Sequence, residues 1–424
     1  MGKSRFPNFY ELSIEDRVKA VFDRGLISEE DYIALKNQQQ RLDLSSADKM
    51  IENVIGVMGL PVGLGLNFLI NNKDYVVPLA VEEPSIVAAL SAAAKIARTK
   101  NGFTTHCTDP ILIGQIQVVH IENLDQARND LLANKQEILN LANSLHPRMV
   151  ARGGGAVDFS IKTYPMESFD QEMLIIDLQV DTRDAMGANL VNSMCEGVAS
   201  LVETITEGEV FLRILSNLTD KALASASVTI PVTSLATNDY KGERVRDGIV
   251  IASDFAHVDP YRASTHNKGI MNGIDAIAMA TGNDFRAIEA CAHAYACRGG
   301  KYSSLSNAFI KNKNFNFEIE LPLSMGTVGG LTKLHPIVNW SLELLNFPDS
   351  KSLMEITAVA GLAQNFAAIK SLITSGIQKG HMKMHLLNIL KQKGASENQK
   401  IKAINFFKKN IVSVSAVEDF LKNS

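Results

Sequence analysis

An excess of charge of either sign is missing from this chain. Its 42 Lys and Arg face 46 Asp and Glu, a formal net charge of -4 over 424 residues, which leaves no basic body for a nucleic-acid backbone. Cysteine is scarce. Cys107, Cys195, Cys291 and Cys297 form no C-x-x-C pair and no finger spacing, so a disulfide framework is excluded and reduced thiols in a cytoplasmic protein are expected. An unbroken apolar run is missing too. Asn53 to Asn72 is uncharged and long enough to span a bilayer, yet Gly56, Gly59, Pro61, Gly63 and Gly65 interrupt it, which reads as buried loop and strand. The opening MGKSRFPNFYELS has no apolar signal core. G-x-G-x-x-G is absent, which disfavours a Rossmann domain, and so is the G-x-S-x-G elbow of hydrolases. His381 and His385 lie one helical turn apart, but Met382 stands where H-E-x-x-H needs its glutamate, so no metal is expected.

What is present is a globular composition, 46% apolar and 21% charged, on a chain long enough for two or three units. Ser13 with Asp16, and Ser28 with Asp31, open two short helices. From Gly114 to Leu215 the periodicity changes in order: strand, helix (124–145), two alternating strands (157–163 and 174–180), helix (188–206), strand (210–215). That β-α-β-β-α-β order is the split βαβ, ferredoxin-like pattern. It predicts an α+β fold in which a compact ferredoxin-like domain interrupts a larger mixed helical and β domain. Gly376 to Ser424 differs again. Nine lysines stand there against Glu397, Glu418 and Asp419, with helix starts at Ser396 and Ser415, which reads as a small helical appendage hinged near Gly376 and Gly380.

The chemistry-bearing residues cluster in Tyr261 to Asp284, YRASTHNKGIMNGIDAIAMATGND. Arg262, Thr265, Asn267, Lys268, Asn272 and Asp284 sit there among apolar residues and glycines. Such a stretch is either a glycine-broken buried helix with solvated ends or a polar pocket in an apolar wall. Glu82 and Glu83 precede the alanine-rich helix after Pro84. They suit a charged cap at the positive end of the helix dipole, or a proton donor in an apolar setting. Asp184-Ala185-Met186-Gly187-Ala188-Asn189 joins a strand to a helix, either as a plain capped turn or as a phosphate-binding cofactor turn. Gln364 and Asn365 are amides on the small-residue helix from Met354 to Ile373.

MIENVIG (50–56), VEEPSIVAA (81–89), DAMGAN (184–189), SNL (216–218), the 261–284 stretch, GTVGG (326–330), GLAQNF (361–366) and GIQKGHM (376–382), in this order, closely resemble the class II, bacterial-type 3-hydroxy-3-methylglutaryl-CoA reductases. The resemblance implies reduction of hydroxymethylglutaryl-CoA to mevalonate and free coenzyme A with two NAD(P)H, by way of a hemithioacetal and an aldehyde. It implies a catalytic set of Glu83, Lys268, Asp284 and His381. Asp184, Met186, Gly187, Ala188 and Asn189 are then the non-Rossmann cofactor turn. Ser85, Arg262, Asn272 and Asn217 contact the acyl group or support the lysine, with Thr265 and Gln364 placed beside them. It further implies a homodimer with the site at its interface near ENVIG, in which assembly beyond the dimer, such as a trimer of dimers, stays open. The large domain becomes residues 1–109 plus 216–375, the cofactor domain 110–215, and a closing flap 376–424. Lys221, just after SNLTD, is a rival cation. For the cofactor, His146, Arg148 and Arg152 lie in an acid-free stretch, which points to NADPH or dual use with NADH rather than NADH alone. A non-catalytic coenzyme A-binding homologue and a thioester hydrolase are the competing readings.

Overall fold

The computed structural model describes residues 2–374, 376, 386–387, 389–407 and 410–423. Among the described residues ten strands follow in chain order: β1 (Val62–Ile70), β2 (Lys73–Ala80), β3 (Phe103–Cys107), β4 (Ile111–Val119), β5 (Gly155–Met166), β6 (Gln171–Asp181), β7 (Glu209–Ser216), β8 (Leu223–Ile230), β9 (Ser306–Lys311) and β10 (Asn314–Pro322). They make two sheets, β2-β1-β3-β8-β10-β9 and β5-β6-β4-β7.

The second sheet is antiparallel throughout. The helices Leu124–Ala133, Lys135–Ser144 and Ala188–Thr206 cross between its strands, and this is the ferredoxin-like order read from the alternation. One detail differs. The helical stretch 124–145 is two helices, because Asn134 takes up the carbonyl of Asp130 with its amide and ends the first one there. The core of this unit is Ile116, Val118, Leu174, Ile176 and Leu178 on the strands against Val191, Met194, Val198 and Val202 on the last helix.

The six-stranded sheet shows one wet and one dry face. In β8 Ala224, Ala226, Val228 and Ile230 are buried, while Ser225, Ser227 and Thr229 alternate toward solvent, the pattern of an antiparallel sheet covered on one side. The cover is the helices Ile86–Ala97, Pro260–Ala280 and Ser350–Ile373. The last of these is apolar on every side and buried along most of its length, so its membrane-compatible composition reflects a core position. It crosses the Pro260–Ala280 helix closely at glycine. A Cβ on Gly273 would lie 2.6 Å from the carbonyl oxygen of Ala360, and one on Gly361 would lie 2.9 Å from Ile274.

Toward the termini the caps read from sequence recur at Ser13, Ser28 and Ser396. The last helix, Val414–Lys422, is capped by Ser413 rather than Ser415. Leu386, Ile389, Leu390, Ala403, Phe407 and Val417 form a separate small core near the C-terminus. The stretch 53–72 divides in two. β1 is partly buried, whereas Ile51, Ile55 and Met58 stand 65%, 101% and 86% exposed on an irregular segment, contrary to the buried loop expected there.

Candidate functional site

Asp259 caps the Pro260–Ala280 helix by accepting from the backbone N–H of Arg262, and Pro260 occupies the first turn, where its missing N–H costs nothing. From that start Arg262, Thr265, Lys268 and Asn272 fall within roughly a third of the helix circumference. They form one stripe that is exposed or half-buried, beside the fully buried His266, Asn267, Ile270 and Met271. The helix is unbroken by its glycines and its polar stripe faces outward, so the stretch is neither a glycine-broken helix nor an enclosed pocket within the chain.

Lys268 Nζ lies 2.8 Å from Glu83 Oε2. Glu83 stands in the turn between β2 and the Ile86–Ala97 helix, so residues 185 positions apart meet. Next to it Ser85 holds a left-handed backbone, φ 76° and ψ -12°, and its hydroxyl caps nothing. A non-glycine residue kept in this region marks strain that other contacts maintain. The rival cation Lys221 is committed elsewhere, donating to Gln179 Oε1 at 2.8 Å.

The base of the lysine turn is fixed by buried polar groups. Asn267 donates to the Ser303 carbonyl and accepts from the Leu305 N–H. His266 Nε2 lies 2.7 Å from Ser306 Oγ, which donates to Asn365 Oδ1, and the Asn365 amide returns to the His266 carbonyl. Burial first, then the charge of Arg262, lowers His266 to about 3, so it is neutral at physiological pH. Asn267 and Asn365 are therefore scaffold rather than pocket.

Three candidates make no hydrogen bond or ion pair with the Lys268–Glu83 pair within a single chain. Asp284 makes no ion pair with Lys268; it caps the Phe285–Ala296 helix through the N–H groups of Arg286 and Ala287 and pairs with Arg286 Nε at 3.3 Å. Its neighbour Phe285 opens that helix, and a carboxylate is the cap a helix start favours. Gln364 is 4% exposed with Oε1 unpartnered, packed under Gly273, and does not reach the stripe. Asn217, beyond the end of β7, is exposed and hydrogen-bonded to none of the other candidates. His381 lies outside the described residues.

The DAMGAN joint has the build of a phosphate turn. Gly187, at φ 84°, precedes the 19-residue helix Ala188–Thr206 and offers no side-chain cap, which leaves the first N–H groups free for an anion. A Cβ there would meet Thr182 at 2.4 Å. Met186 and Ala188 are half-buried, and Asn189 is exposed. His146 Nε2 contacts Ser193 Oγ on the same helix at 2.5 Å. Arg183, just before Asp184, donates from Nε to the Gly153 carbonyl at 2.9 Å, which ties the Arg152-Gly153-Gly154-Gly155 turn to the joint. Arg148 and Arg152 are exposed and carry no ion pair among the described residues. A helix start open to phosphate with two uncommitted guanidinium groups nearby fits a phosphorylated dinucleotide.

Sequence reading missed several residues here. Asn283, whose amide brackets Gly326, and the half-buried Asp275 stand inside the 261–284 stretch without being singled out there, and Glu289, which lies beside Asp275 and His293, carries no motif. Only apolar neighbours in sequence hinted that Asn283 is buried.

A model of the family described as hydroxymethylglutaryl-coenzyme A reductase matches residues 13–386. The chain is 47% identical over 397 residues to the 3-hydroxy-3-methylglutaryl-coenzyme A reductase of Archaeoglobus fulgidus, covering 93% of this chain and 89% of that one. It is 34% identical to a probable reductase of the same name from Borreliella burgdorferi, over 92% and 89% of the two chains. The class II reductase of Streptococcus pneumoniae, solved bound to NADPH in open conformations, superposes with a TM-score of 0.84 at 39% identity, covering 87% of this chain and 100% of that one. Another structure of that enzyme covers 99% of both chains at 38% identity and the same TM-score, 0.84. With the paired lysine and glutamate, the inserted ferredoxin-like unit and these matches together, the chain belongs to the hydroxymethylglutaryl-coenzyme A reductase family.

Proposed function

We propose that this chain reduces hydroxymethylglutaryl-CoA to mevalonate and coenzyme A, using two NADPH and passing through a hemithioacetal and an aldehyde. The observation that carries the reading is the Lys268–Glu83 pair at 2.8 Å on an open polar stripe. Each reduction places negative charge on a carbonyl oxygen, and a fixed ammonium facing that oxygen lowers the barrier by on the order of 3 kcal/mol. Glu83, in contact with the same ammonium, is placed to hand on the proton that each addition requires. Arg262, Thr265, Asn272 and Ser85 flank the pair and would hold the acyl group. Bound NADPH would supply the hydride. Asp184 to Asn189 would hold its phosphates, and Arg148 and Arg152 would favour a 2′-phosphate, which supports NADPH over NADH.

Asp284 enters this reading as a residue supplied across a subunit contact, or brought nearer by a change in its own chain, since here it faces Arg286. His381 would protonate the departing thiolate of coenzyme A, as a histidine titrating near neutral pH is suited to do, from a C-terminal flap of residues 376–424. The large domain would be 1–109 with 216–375, and the cofactor domain 110–215. A homodimer is supported by Ile51, Ile55 and Met58, whose exposure calls for a cover. A cytoplasmic setting agrees with the absence, among the described residues, of an apolar helix that is not part of the core.

The test is a stoichiometric assay. Purified protein should consume two NADPH per mevalonate formed and release one coenzyme A thiol, with NADH run in parallel. Lys268→Ala should abolish turnover while leaving binding of the thioester within about tenfold. Free acid in place of mevalonate would turn the reading into a hydrolase.

A further inference from the structure

We propose that Asn283 is a positioning residue for the cofactor, setting the cofactor turn of the ferredoxin-like unit against the acyl site through the backbone of Gly326. The inference rests on the reductase reading of Asp184 to Asn189.

Asn283 is 6% exposed, between the lysine-bearing helix and the helix capped by Asp284. Its side chain grips both polar groups of one residue. Oδ1 accepts from the Gly326 N–H at 2.7 Å, and Nδ2 donates to the Gly326 carbonyl at 3.1 Å. The amide cannot be turned over, because Nδ2 also donates to Thr281 Oγ1 at 3.0 Å while that hydroxyl is committed to the Ile277 carbonyl. Gly326 in turn lies against the cofactor turn with no room for a side chain: a Cβ would stand 2.3 Å from the Met186 nitrogen and 2.8 Å from the Ala185 carbonyl carbon. The following N–H groups complete the join. Thr327 and Val328 both donate to the Asp184 carbonyl, at 2.8 and 3.2 Å, and Ala185 pairs with Val328 as an isolated bridge. Ser350 closes the seam by donating its backbone N–H to Asp184 Oδ1 and its hydroxyl to the Met325 carbonyl.

The path from the lysine helix to the cofactor turn is therefore rigid and short. It passes from Thr281 to Asn283, then through the backbone of Gly326 to Met186. Hydride transfer demands that donor and acceptor carbons meet in a near-attack geometry, and displacements of about 1 Å cost rate heavily. Asn283 touches neither substrate nor cofactor in this path; its role is to hold Gly326 and hence the turn.

Two variants test this, each read by NADPH titration (quenching or enhancement of the nucleotide's own fluorescence) and by the shift in melting temperature that saturating NADPH produces. Asn283→Asp keeps the acceptor toward the Gly326 N–H but sets a carboxylate oxygen against the Gly326 carbonyl. It should weaken NADPH about tenfold at neutral pH, the scale of one lost hydrogen bond, with thioester binding unchanged. As pH falls and the new carboxyl protonates, it can donate again, and NADPH affinity relative to wild type should recover. Asn283→Ala should show the same split between the two ligands and no recovery. Wild-type NADPH affinity in Asn283→Asp, equal weakening of both ligands, or absence of any recovery at low pH would overturn the inference. Failure of the wild-type chain to bind NADPH would instead overturn the reductase reading on which it stands.

Discussion

Asp275 is the side chain least expected from its position. It lies on the lysine-bearing helix, two turns past Lys268, and burial followed by the neighbouring Glu289 raises its carboxyl to about 8. Glu289 is held below the ordinary carboxylate range, first by its hydrogen bond to His293, whose Nε2 lies 2.6 Å away, and His293 Nδ1 contacts the Tyr302 hydroxyl at 2.7 Å. One proton is thus shared by the acid pair, with Asp275 as its holder. The linkage has a definite sign. An unfolded Asp releases its proton near pH ~3.9, whereas the folded one keeps it up to about 8, so stability from this group is complete below about pH 4 and is lost as pH rises through 8. Asn in its place needs no proton, so Asp275→Asn should melt above the wild type by an amount that grows between about pH 4 and pH 8. A melting difference independent of pH would show that no proton is held there. Ser85 makes a second case. Its left-handed backbone costs a serine of order 1 kcal/mol that glycine escapes, while its hydroxyl makes no cap to the helix that follows and is free for the substrate contact proposed above. Ser85→Gly is accordingly expected to raise the melting temperature and raise KM for the thioester, leaving KM for NADPH alone. Stabilisation without a KM change would remove Ser85 from the substrate contacts.

At the scale of elements, the crossing of the Pro260–Ala280 and Ser350–Ile373 helices decides where Lys268 stands, and glycine decides the crossing. Two glycines of one helix are expected to behave oppositely. Gly273→Ala pushes a methyl onto a backbone oxygen 2.6 Å away, so the helices must separate, at about 1–3 kcal/mol. Around Gly269 the nearest atom is Asn365 Nδ2 at 3.9 Å, and alanine there should be neutral or stabilise by up to about 1 kcal/mol through helix propensity. Chemical denaturation of both variants checks the pair, and equal effects would mean that close approach is not what the glycines provide. Element type and order were legible from the chain because periodicity is local. The alternation of Leu174, Ile176, Leu178 and Val180, and the caps at Ser13, Ser28 and Ser396, carry their own signal. The lysine helix was readable only as an alternative, since Gly269, Gly273 and Gly282 look like breaks until the partner helix that needs Gly273 is in view. The two-helix division at Asn134 was hidden for a related reason: one side-chain hydrogen bond to Asp130 ends the helix without disturbing the apolar pattern.

For the whole molecule, the site is a meeting of distant segments, and this sets what the sequence could disclose. Residue types at motif positions named Lys268 and Glu83, and the fold brings them together across 185 positions. The same motifs placed Asp284 beside them, where the single chain puts it against Arg286, and placed Gln364 at the substrate, where the core encloses it. Burial and partnership are three-dimensional, and neither amide nor acid announces them in one dimension. The gap around Asp284 and the bare segment at 51–58 are explained together if a second copy covers that segment and completes the stripe. Ile55, wholly exposed in the chain alone, then becomes a central contact residue, and a charge there would be desolvated without a partner. Ile55→Asp is expected to shift the protein from dimer to monomer in light scattering and to lower kcat at least tenfold. The intramolecular Lys268–Glu83 pair and NADPH binding to the ferredoxin-like unit should both survive, and raising the protein concentration should restore part of the activity by mass action. A monomeric Ile55→Asp protein with full turnover would mean that one chain suffices, and the acid that completes the lysine's surroundings would then have to be found within it.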